Sequence, residues 1–197
     1  MIDVAAASLA LALLSPVWLV IGALIRATSS GPALFARTVV GKDGRSFTYY
    51  KFRTMRQGDD THHRAWLREF VLRDSPYSGG DYKVRSDPRV TDVGKFLRRT
   101  SLDEVPQLLN VLRGDMSIVG PRPPIEYEYG LYDDRSKRRL AVKPGITGLY
   151  QVSARSRVPF SEMLKLDLEY IERRSIWLDL KIMLATPVVM ISGRGAG

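Results

Sequence analysis

An uncharged apolar run near the N-terminus constrains this chain more than any other feature. Residues 4–25 read VAAASLALALLSPVWLVIGALI, which meets the usual requirement of about 20 apolar residues for a helix that crosses a bilayer. A secretory signal peptide needs a basic segment before its apolar run, whereas the early charge here is Asp3. Arg26 and Pro32 also disfavour a small-residue cleavage site. The run therefore predicts a membrane-associated helix.

The dipeptide Ser15–Pro16 lies in the middle of this run. Proline removes a backbone N–H donor and clashes with the preceding turn, so we expect a kink or a break there. The Ser15 hydroxyl can bond a carbonyl that the proline leaves without its partner. The residues leave two topologies open: a kinked helix that crosses the bilayer, or a helix broken at mid-depth with both ends on one side. In both, the basic remainder should lie in the cytoplasm.

The charge balance indicates an anionic partner. The 197 residues include 30 Lys and Arg against 21 Asp and Glu, which gives a formal net charge of +9. Nucleic acid, anionic lipid and a phosphorylated substrate each suit this balance. The chain has no cysteine, which excludes disulfides, thiolate metal sites and cysteine nucleophiles.

Local patterns after the apolar run predict a single α+β domain that is mostly helical. Alternating residues around a glycine-containing turn predict a small β-sheet near 34–53. Apolar residues at helical spacing predict helices over 61–73 and 160–173. The last apolar segment, 176–192, carries charges and is expected to break at Pro187, so it predicts an interfacial helix rather than a second span.

The central part of the chain predicts a further helix with an acidic N-terminus. Ser101 and Glu104 have the S-x-x-E spacing of a capping box, although Pro106 fits better if the helix starts at Asp103. Both registers place Asp103 at a helix N-terminus, where the macrodipole stabilises anions. Gly114 suits the end of this helix. Five apolar residues recur on it at helical spacing: Leu102, Val105, Leu108, Leu109 and Leu112.

Signatures of several enzyme classes are missing from the sequence. There is no G-x-x-x-x-G-K-[ST] phosphate loop and no G-x-S-x-G nucleophile elbow. The Asp-x-Asp signature expected of many nucleotide-sugar glycosyltransferases is missing too. His62 and His63 are adjacent rather than at metal-ligand spacing, and there is no third histidine.

What remains is an acidic pair, Asp103–Glu104, among cations at Arg98–Arg99, Arg113 and Arg122. In a purely structural interpretation, the pair caps a helix and is stabilised by its dipole. In the functional interpretation, Asp103 attacks a phosphorus atom as a nucleophile. A carboxylate that approaches a diphosphate is repelled, so such a site needs basic side chains and a divalent cation. Mg²⁺ suits a site built from oxygen ligands.

Further candidate residues have two interpretations each. Lys51 and Arg53 are either exposed charges or phosphate ligands. Arg122, which lies between two prolines, is either part of a rigid turn or a stiffly held phosphate ligand. Asp167 is either an acid on a helix surface or a second carboxylate of the site.

Segments along almost the whole chain resemble one family. They are LLSP, YYKFRTM, SDPRVTDVGKFLRRTSLDEVPQLLNVLRGDMSIVGPRP, VKPGITGLYQV and LDLEYIERRSIWLDLKIM. The chain resembles the bacterial sugar transferases, the monotopic polyprenyl-phosphate phosphoglycosyl transferases. It looks like their minimal catalytic unit, without the additional N-terminal membrane domain of larger relatives.

The resemblance implies both a topology and a reaction. Residues 1–28 would form a re-entrant membrane helix broken at Ser15–Pro16, and residues 29–197 a catalytic domain on the cytoplasmic face of the bacterial inner membrane. Asp103 would attack the sugar-bearing phosphate of a UDP-sugar, release the nucleoside monophosphate and carry the phosphosugar covalently. Undecaprenyl phosphate would then take the phosphosugar, which starts a cell-surface glycan. Glu104 would be the dyad partner, and both carboxylates would hold Mg²⁺.

The resemblance also assigns residues to substrate and phosphate binding: Lys51, Arg53, Arg122, Arg155 and Asp167. The chain departs from the family near Arg155, where relatives commonly read G-x-x-Q-V-[NS]-G-R-N with Trp before the Gln. Here Tyr150 replaces the Trp, Ala154 a Gly and Ser156 an Asn. We therefore expect the sugar or nucleotide preference to differ from that of better-known relatives.

Two other functions fit parts of the sequence. A membrane-tethered nucleic-acid binder would explain the net charge, but no recognition helix or aromatic stacking motif supports it, so we expect no nucleic-acid partner. An inactive scaffold would fit the altered 154–156 stretch, but the acidic pair is intact. The expected partners are a nucleotide sugar, a polyprenyl phosphate and inner-membrane lipids, and a homo-oligomer is left open.

Overall fold

The computed structural model describes residues 2–56, 58, 61–74, 89–153 and 158–191. As predicted, these residues form a mostly helical α+β fold. The α-helices are α1 (Ile2–Thr28), α2 (Thr61–Leu72), α3 (Asp92–Arg99), α4 (Leu108–Arg113), α5 (Glu126–Tyr129), α6 (Asp134–Lys137), α7 (Leu149–Ser153), α8 (Phe160–Arg173) and α9 (Ile176–Ile191). The strands are β1 (Leu34–Val40), β2 (Ser46–Phe52), β3 (Ser117–Val119) and β4 (Gly145–Thr147). Short 3₁₀ helices occupy Lys42–Gly44, Leu102–Gln107 and Arg138–Leu140.

The predicted small sheet near 34–53 is confirmed as an antiparallel hairpin of β1 and β2, with Phe35 opposite Lys51. Its turn uses left-handed backbone at Asp43 and Gly44. A second sheet, in which β3 pairs in parallel with β4, was not predicted. Its strands have three residues each, too few for an alternating pattern to show. Gly145 lets this pair form, because a Cβ there would lie 2.1 Å from the backbone nitrogen of Gly120.

Helix α1 runs without interruption through Pro16, so the predicted break is not confirmed. Pro16 has no N–H to donate to the carbonyl of Ala12, four residues earlier. The Ser15 hydroxyl donates to that same carbonyl at 2.9 Å, as the sequence suggested. The serine therefore supplies the hydrogen bond that the proline removes, and the helix continues.

Both ends of α1 contact the rest of the domain. Near the start, Asp3 accepts hydrogen bonds from the Ser117 hydroxyl at 2.8 Å and the Ile118 N–H at 3.3 Å. Beyond the end, Arg53 donates to the carbonyl of Ser29 at 2.9 Å. Between them, a narrow stripe that includes Ala7 and Ile21 is buried. The other faces of α1 expose large apolar side chains: Val4, Leu9, Leu13, Val17, Leu19, Val20 and Leu24.

The two C-terminal helices match the predicted segments. Helix α8 has the predicted bounds. Helix α9 continues through Pro187 rather than breaking there, and the Thr186 hydroxyl bonds the carbonyl of Ile182 at 2.8 Å in the preceding turn. One face of α9 exposes apolar side chains: Trp177, Leu180, Leu184 and Val188.

The central helix begins differently from either predicted register. Ser101 has left-handed backbone (φ 52°) and its side chain makes no capping hydrogen bond. The chain then forms the 3₁₀ helix Leu102–Gln107, which accommodates Pro106, and continues as α4. The capping box is therefore wrong, because a left-handed Ser101 cannot take the extended backbone that an N-cap residue requires. The predicted end at Gly114 is confirmed by its left-handed backbone.

Candidate active site

The acidic pair is anchored to β2 by buried amides. The side chain of Asn110 is fully buried; it donates to the Thr48 carbonyl at 2.6 Å and accepts from the Tyr50 N–H at 3.2 Å. With these two bonds, the Asn110 amide pairs with backbone groups of β2 as the backbone of a neighbouring strand would. The Gln107 amide, also buried, donates to the Tyr49 hydroxyl at 2.6 Å. These bonds hold the Leu102–Gln107 helix and α4 against the hairpin.

The predicted leucine stripe is not the most buried face of this segment. Gln107, Asn110 and Val111 are buried, whereas Leu112 is exposed. The other residues of the stripe are half-buried. Periodicity identified a helix correctly but not its inner face, because the polar edge of β2 selects amide partners there.

Helix α3 approaches the site closely because of a glycine. A Cβ on Gly94 would lie 2.1 Å from the Thr54 carbonyl oxygen, which is backbone and cannot move freely. The Thr91 hydroxyl caps α3 by accepting from the Gly94 N–H. At the other end of the helix, Arg98 donates to the Thr54 hydroxyl at 2.9 Å. The glycine thus allows α3 to carry Arg98 up to the end of β2.

Asp103 lies in the first turn of the 3₁₀ helix and is 7% exposed. Glu104, beside it, is half-buried. A carboxylate placed in the first turn only for its interaction with the helix dipole would remain in water, so the burial of Asp103 argues against that interpretation. Burying an ionised carboxylate is expensive unless opposite charges are near.

Those charges come from separate elements. Lys51 lies at the end of β2, and its ammonium group interacts electrostatically with Asp103, Glu104, Arg98 and Arg122. Burial lowers the pKa of Lys51 below its ordinary value; the two arginines lower it further, while the two carboxylates oppose the shift. The site therefore combines two acids with three cations.

Tyr49, two residues earlier on β2, faces the same charges. Burial raises the pKa of its hydroxyl well above the ordinary value; Glu104 and Asp103 raise it further, while Arg122 lowers it. The phenol therefore stays protonated at neutral pH and can donate a hydrogen bond.

Arg122 connects this site to a buried charge network. Its prolines, Pro121 and Pro123, are buried while its own side chain is 44% exposed. The guanidinium ion-pairs with the fully buried Glu128 at 3.4 Å. Arg139, also fully buried, donates to the Arg122 carbonyl at 3.3 Å.

Asp167 belongs to this network and not to a helix surface. It is 2% exposed and forms an ion pair with Arg139 at 2.5 Å. Burial raises the pKa of Asp167, while Arg139 and Arg122 lower it. Asp167 therefore lies behind Arg122, connected to it through Arg139.

The predicted site residues that lie within the described ranges fall into three groups. Lys51, Asp103, Glu104 and Arg122 come together, and Asp167 joins them indirectly. Arg53 is directed elsewhere: it donates to the carbonyl and hydroxyl of Ser29, in the connection after α1. Its substrate-binding role stays a prediction.

Arg155, Ala154 and Ser156 lie outside the described residues. Tyr150 is buried in a core cluster with Phe160 and Tyr132, so this departure from the family pattern affects packing.

The adjacent carboxylates of Asp103 and Glu104 offer the oxygen ligands that Mg²⁺ prefers. Within the described ranges, no group of three or more acidic or histidine side chains could hold a metal ion by itself. The residues therefore fit an ion that takes its remaining ligands from substrate phosphates and water, as Mg²⁺ usually does.

The sequence did not predict the residues that support the site: the hydrogen bond from Arg98 to Thr54, the amides of Gln107 and Asn110, and the network of Glu128, Tyr132 and Arg139. Glu128 and Arg139 lie in stretches rich in charge, where nothing in the pattern separates a buried residue from an exposed one.

A cavity of about 460 Å³ lies elsewhere, where α1 and α9 begin. Asp3, Tyr170, Arg174 and Asp179 are among its lining residues, and its described lining contains none of the predicted site residues.

Comparison with known proteins identifies the family of the chain. The sequence profile described as bacterial sugar transferase matches residues 1–193. The galactosyl transferase CpsE of Streptococcus agalactiae is 48% identical over 84% of this chain and 36% of its own length. The exopolysaccharide production protein ExoY of Rhizobium meliloti is 42% identical over 98% of this chain and 85% of its own. The undecaprenyl-phosphate galactose phosphotransferase of Salmonella typhimurium is 41% identical over 84% and 35%. The chain thus spans about a third of CpsE and of the Salmonella protein, and most of ExoY.

Proposed function

Because the chain belongs to the bacterial sugar transferase family, we propose that it transfers a sugar 1-phosphate from a UDP-sugar to undecaprenyl phosphate. The name of the Salmonella relative supports the lipid acceptor and the transfer of a phosphorylated sugar. The name of ExoY supports a role in exopolysaccharide production, and we propose that the transfer starts a cell-surface glycan. The chain is a phosphoglycosyl transferase in this proposal, and its donor sugar is to be found by experiment.

The observation that carries the proposal is the buried carboxylate of Asp103 among Lys51, Arg98 and Arg122. In the first step, an Asp103 oxygen attacks the phosphorus that bears the sugar. A new P–O bond forms to Asp103, the P–O bond to the bridging oxygen breaks, and its electron pair leaves with UMP. The product is an acyl phosphate that links Asp103 to the sugar.

In the second step, a phosphate oxygen of undecaprenyl phosphate attacks the same phosphorus atom. The P–O bond to Asp103 breaks, and the carboxylate is regenerated. The lipid product carries a diphosphate that ends in the sugar. Both steps pass through extra negative charge on the phosphoryl oxygens, and a preorganised set of cations stabilises this charge.

The side chains have separate tasks in these steps. Lys51, Arg98 and Arg122 bind and orient the diphosphate, which offsets its repulsion of Asp103. The Tyr49 hydroxyl accepts from Gln107 and stays protonated, so its own proton is available to a phosphate oxygen of the substrate. Mg²⁺ held by Asp103 and Glu104 would neutralise phosphate charge and improve the leaving group.

The contacts of α1 support a monotopic placement, in which both ends of the helix lie on the same side of the membrane. A 27-residue helix is about 40 Å long, enough to separate its ends by the thickness of a bilayer. Yet Asp3 at one end and Ser29 beyond the other both bond the same folded domain. In a crossing helix, one end would lie across the bilayer from that domain. We therefore propose that both ends of α1 lie on the cytoplasmic face of the inner membrane.

The first experiment assays the purified full chain with undecaprenyl phosphate, Mg²⁺ and a panel of UDP-sugars, with UMP and UDP measured separately. We expect UMP release that requires the lipid for turnover and stops on chelation of the metal. Release of UDP instead would mean ordinary glycosyl transfer and would refute the proposal.

The second experiment tests the covalent step. Asp103→Asn should abolish both turnover and radiolabelling of the protein by a UDP-sugar labelled in the phosphate next to the sugar. Asp134→Asn is the matched control, because Asp134 is a fully exposed acid of α6 and its loss should change neither readout. Labelling that persists in Asp103→Asn would exclude Asp103 as the nucleophile.

A further inference from the structure

Two charged side chains are completely buried behind the site. Glu128 of α5 and Arg139 of the Arg138–Leu140 helix are each 0% exposed. Charged groups in a protein interior need partners with good geometry, since an unpaired buried charge is strongly destabilising. The contacts of these two residues therefore show which groups their charges stabilise.

Tyr132 connects them. Its hydroxyl donates to Glu128 at 2.6 Å and accepts from Arg139 at 2.6 Å. The single proton of the hydroxyl is used on one side and a lone pair on the other, so the order of donors and acceptors is fixed. Burial raises the pKa of Tyr132 well above the ordinary value, and the negative charge of Glu128 adds to the shift. The phenol thus remains a donor at neutral pH.

Both buried side chains contact Arg122. Glu128 forms an ion pair with the Arg122 guanidinium at 3.4 Å, and Arg139 donates a hydrogen bond to the Arg122 carbonyl at 3.3 Å. Asp167 forms an ion pair with the same Arg139 nitrogen that donates to the Arg122 carbonyl. The network contains two acids and two arginines and is electrically balanced. Arg122 is its exposed member, and its charge reaches Lys51 and Tyr49 beside Asp103.

We propose that Glu128 and Arg139 are positioning residues that fix the orientation of Arg122 toward the phosphates of the substrate. Buried prolines on both sides already restrict the backbone of Arg122. The network restricts the side chain as well, so the guanidinium loses little conformational freedom when substrate binds. The proposal rests on the proposed function, in which Arg122 binds the diphosphate.

A double-mutant cycle separates positioning from general stability. Glu128→Gln retains the size of the side chain and removes the charge that holds Arg122. We expect kcat/KM for UMP release to fall about tenfold or more in the otherwise wild-type chain, in line with the loss of a charged hydrogen bond. In an Arg122→Ala background the same substitution should cost less than about twofold, because there is no guanidinium left to position. Equal losses in both backgrounds, or no loss in the first, would overturn the proposal.

Two further variants make the cycle decisive. Glu126→Gln changes an exposed acid of the same helix, whose carboxylate accepts a 3.4 Å hydrogen bond from Ser46, and should leave kcat/KM unchanged in both backgrounds. Tyr132→Phe removes the connecting hydroxyl but leaves both charges in place. It repeats the cycle if Glu128→Gln fails to fold, which thermal unfolding followed by circular dichroism would show.

Binding distinguishes failure of this inference from failure of the proposed function. The same cycle is measured on the Kd for UDP by calorimetry, which needs no turnover. Coupling in UDP binding without UMP release would retain the positioning role and refute the proposed reaction. UMP release without coupling in either readout would refute the positioning role alone.

Discussion

The surroundings of Lys51 disfavour its protonated form, and this predicts a specific pH dependence of kcat/KM. Burial lowers its pKa, so Lys51 loses its proton at a lower pH than an ordinary lysine does. If that charge binds phosphate, kcat/KM should fall on the alkaline side as pH rises through the lowered pKa. Lys51→Arg should move this fall to higher pH, because a guanidinium stays protonated there.

The control for this pH profile is Lys95→Arg. Lys95 lies on α3 with its side chain 61% exposed and paired with Asp92, so the alkaline fall should stay where it is in the wild type. An unchanged profile in Lys51→Arg would show that some other group sets the alkaline limit.

Gly94 makes a second prediction at the scale of one residue. Gly94→Ala places a methyl group against the Thr54 backbone, so α3 must move away. We expect a loss of about 1–3 kcal/mol in the free energy of unfolding and a loss of activity, since Arg98 moves with the helix. Chemical denaturation measures the first and UMP release the second.

Gly130 provides the matched glycine. It has right-handed helical backbone, and the nearest atoms to an added methyl group would lie at 3.5 and 3.6 Å. Gly130→Ala should be neutral or stabilise by up to about 1 kcal/mol. Equal effects of the two substitutions would contradict the close approach of α3.

At the scale of the element, the stability of α1 depends on the hydroxyl of Ser15. Ser15→Ala removes the donor to the Ala12 carbonyl, which Pro16 cannot bond. We expect a loss of about 1–3 kcal/mol in detergent, because a carbonyl loses its partner in apolar surroundings. Ser8→Ala is the control, since the residue after Ser8 is Leu9, which has an N–H to donate to the Ala5 carbonyl, the counterpart of Ala12. Denaturation of both variants in the same detergent tests the difference.

The absence of cysteine allows the placement of α1 to be measured directly. Ala5→Cys and Ala27→Cys introduce single thiols at exposed positions near its two ends. A membrane-impermeant maleimide added to inverted vesicles should label both, as it labels an Asp134→Cys control in the domain. Labelling of one end from each side of the membrane would show a crossing helix and refute the monotopic placement.

At the scale of the whole molecule, the exposed apolar faces of α1 and α9 predict how the domain meets the membrane. We expect α9 to lie in the interface, with Trp177, 75% exposed, among the lipid chains. In the double variant Trp18→Phe, Trp66→Phe, the fluorescence of Trp177 should be quenched by brominated lipids. The double variant Trp18→Phe, Trp177→Phe is the control, because its remaining ring, Trp66, stacks on Phe70 inside the domain. An unquenched Trp177 would place α9 away from lipid.

The sequence by itself determined the features that depend on neighbours along the chain. Five such features were predictable: the apolar run, the hairpin, the helical periodicity of α8, the end of the central helix at Gly114, and the Ser15 hydroxyl as a donor in place of the N–H that Pro16 lacks. Each is local, because propensity, turn chemistry and periodicity act within a few residues. The acidic pair and the cations near it in sequence were visible for the same reason.

Tertiary structure decided which side chains are buried and which charges meet. The pairing of β3 with β4 and the burial of Asn110 in place of the leucines depend on contacts with distant segments. The same holds for Glu128, Arg139 and Asp167, which lie in α5, the Arg138–Leu140 helix and α8. A charge can be buried only where opposite charges from other elements compensate the loss of water, and no local pattern records those partners.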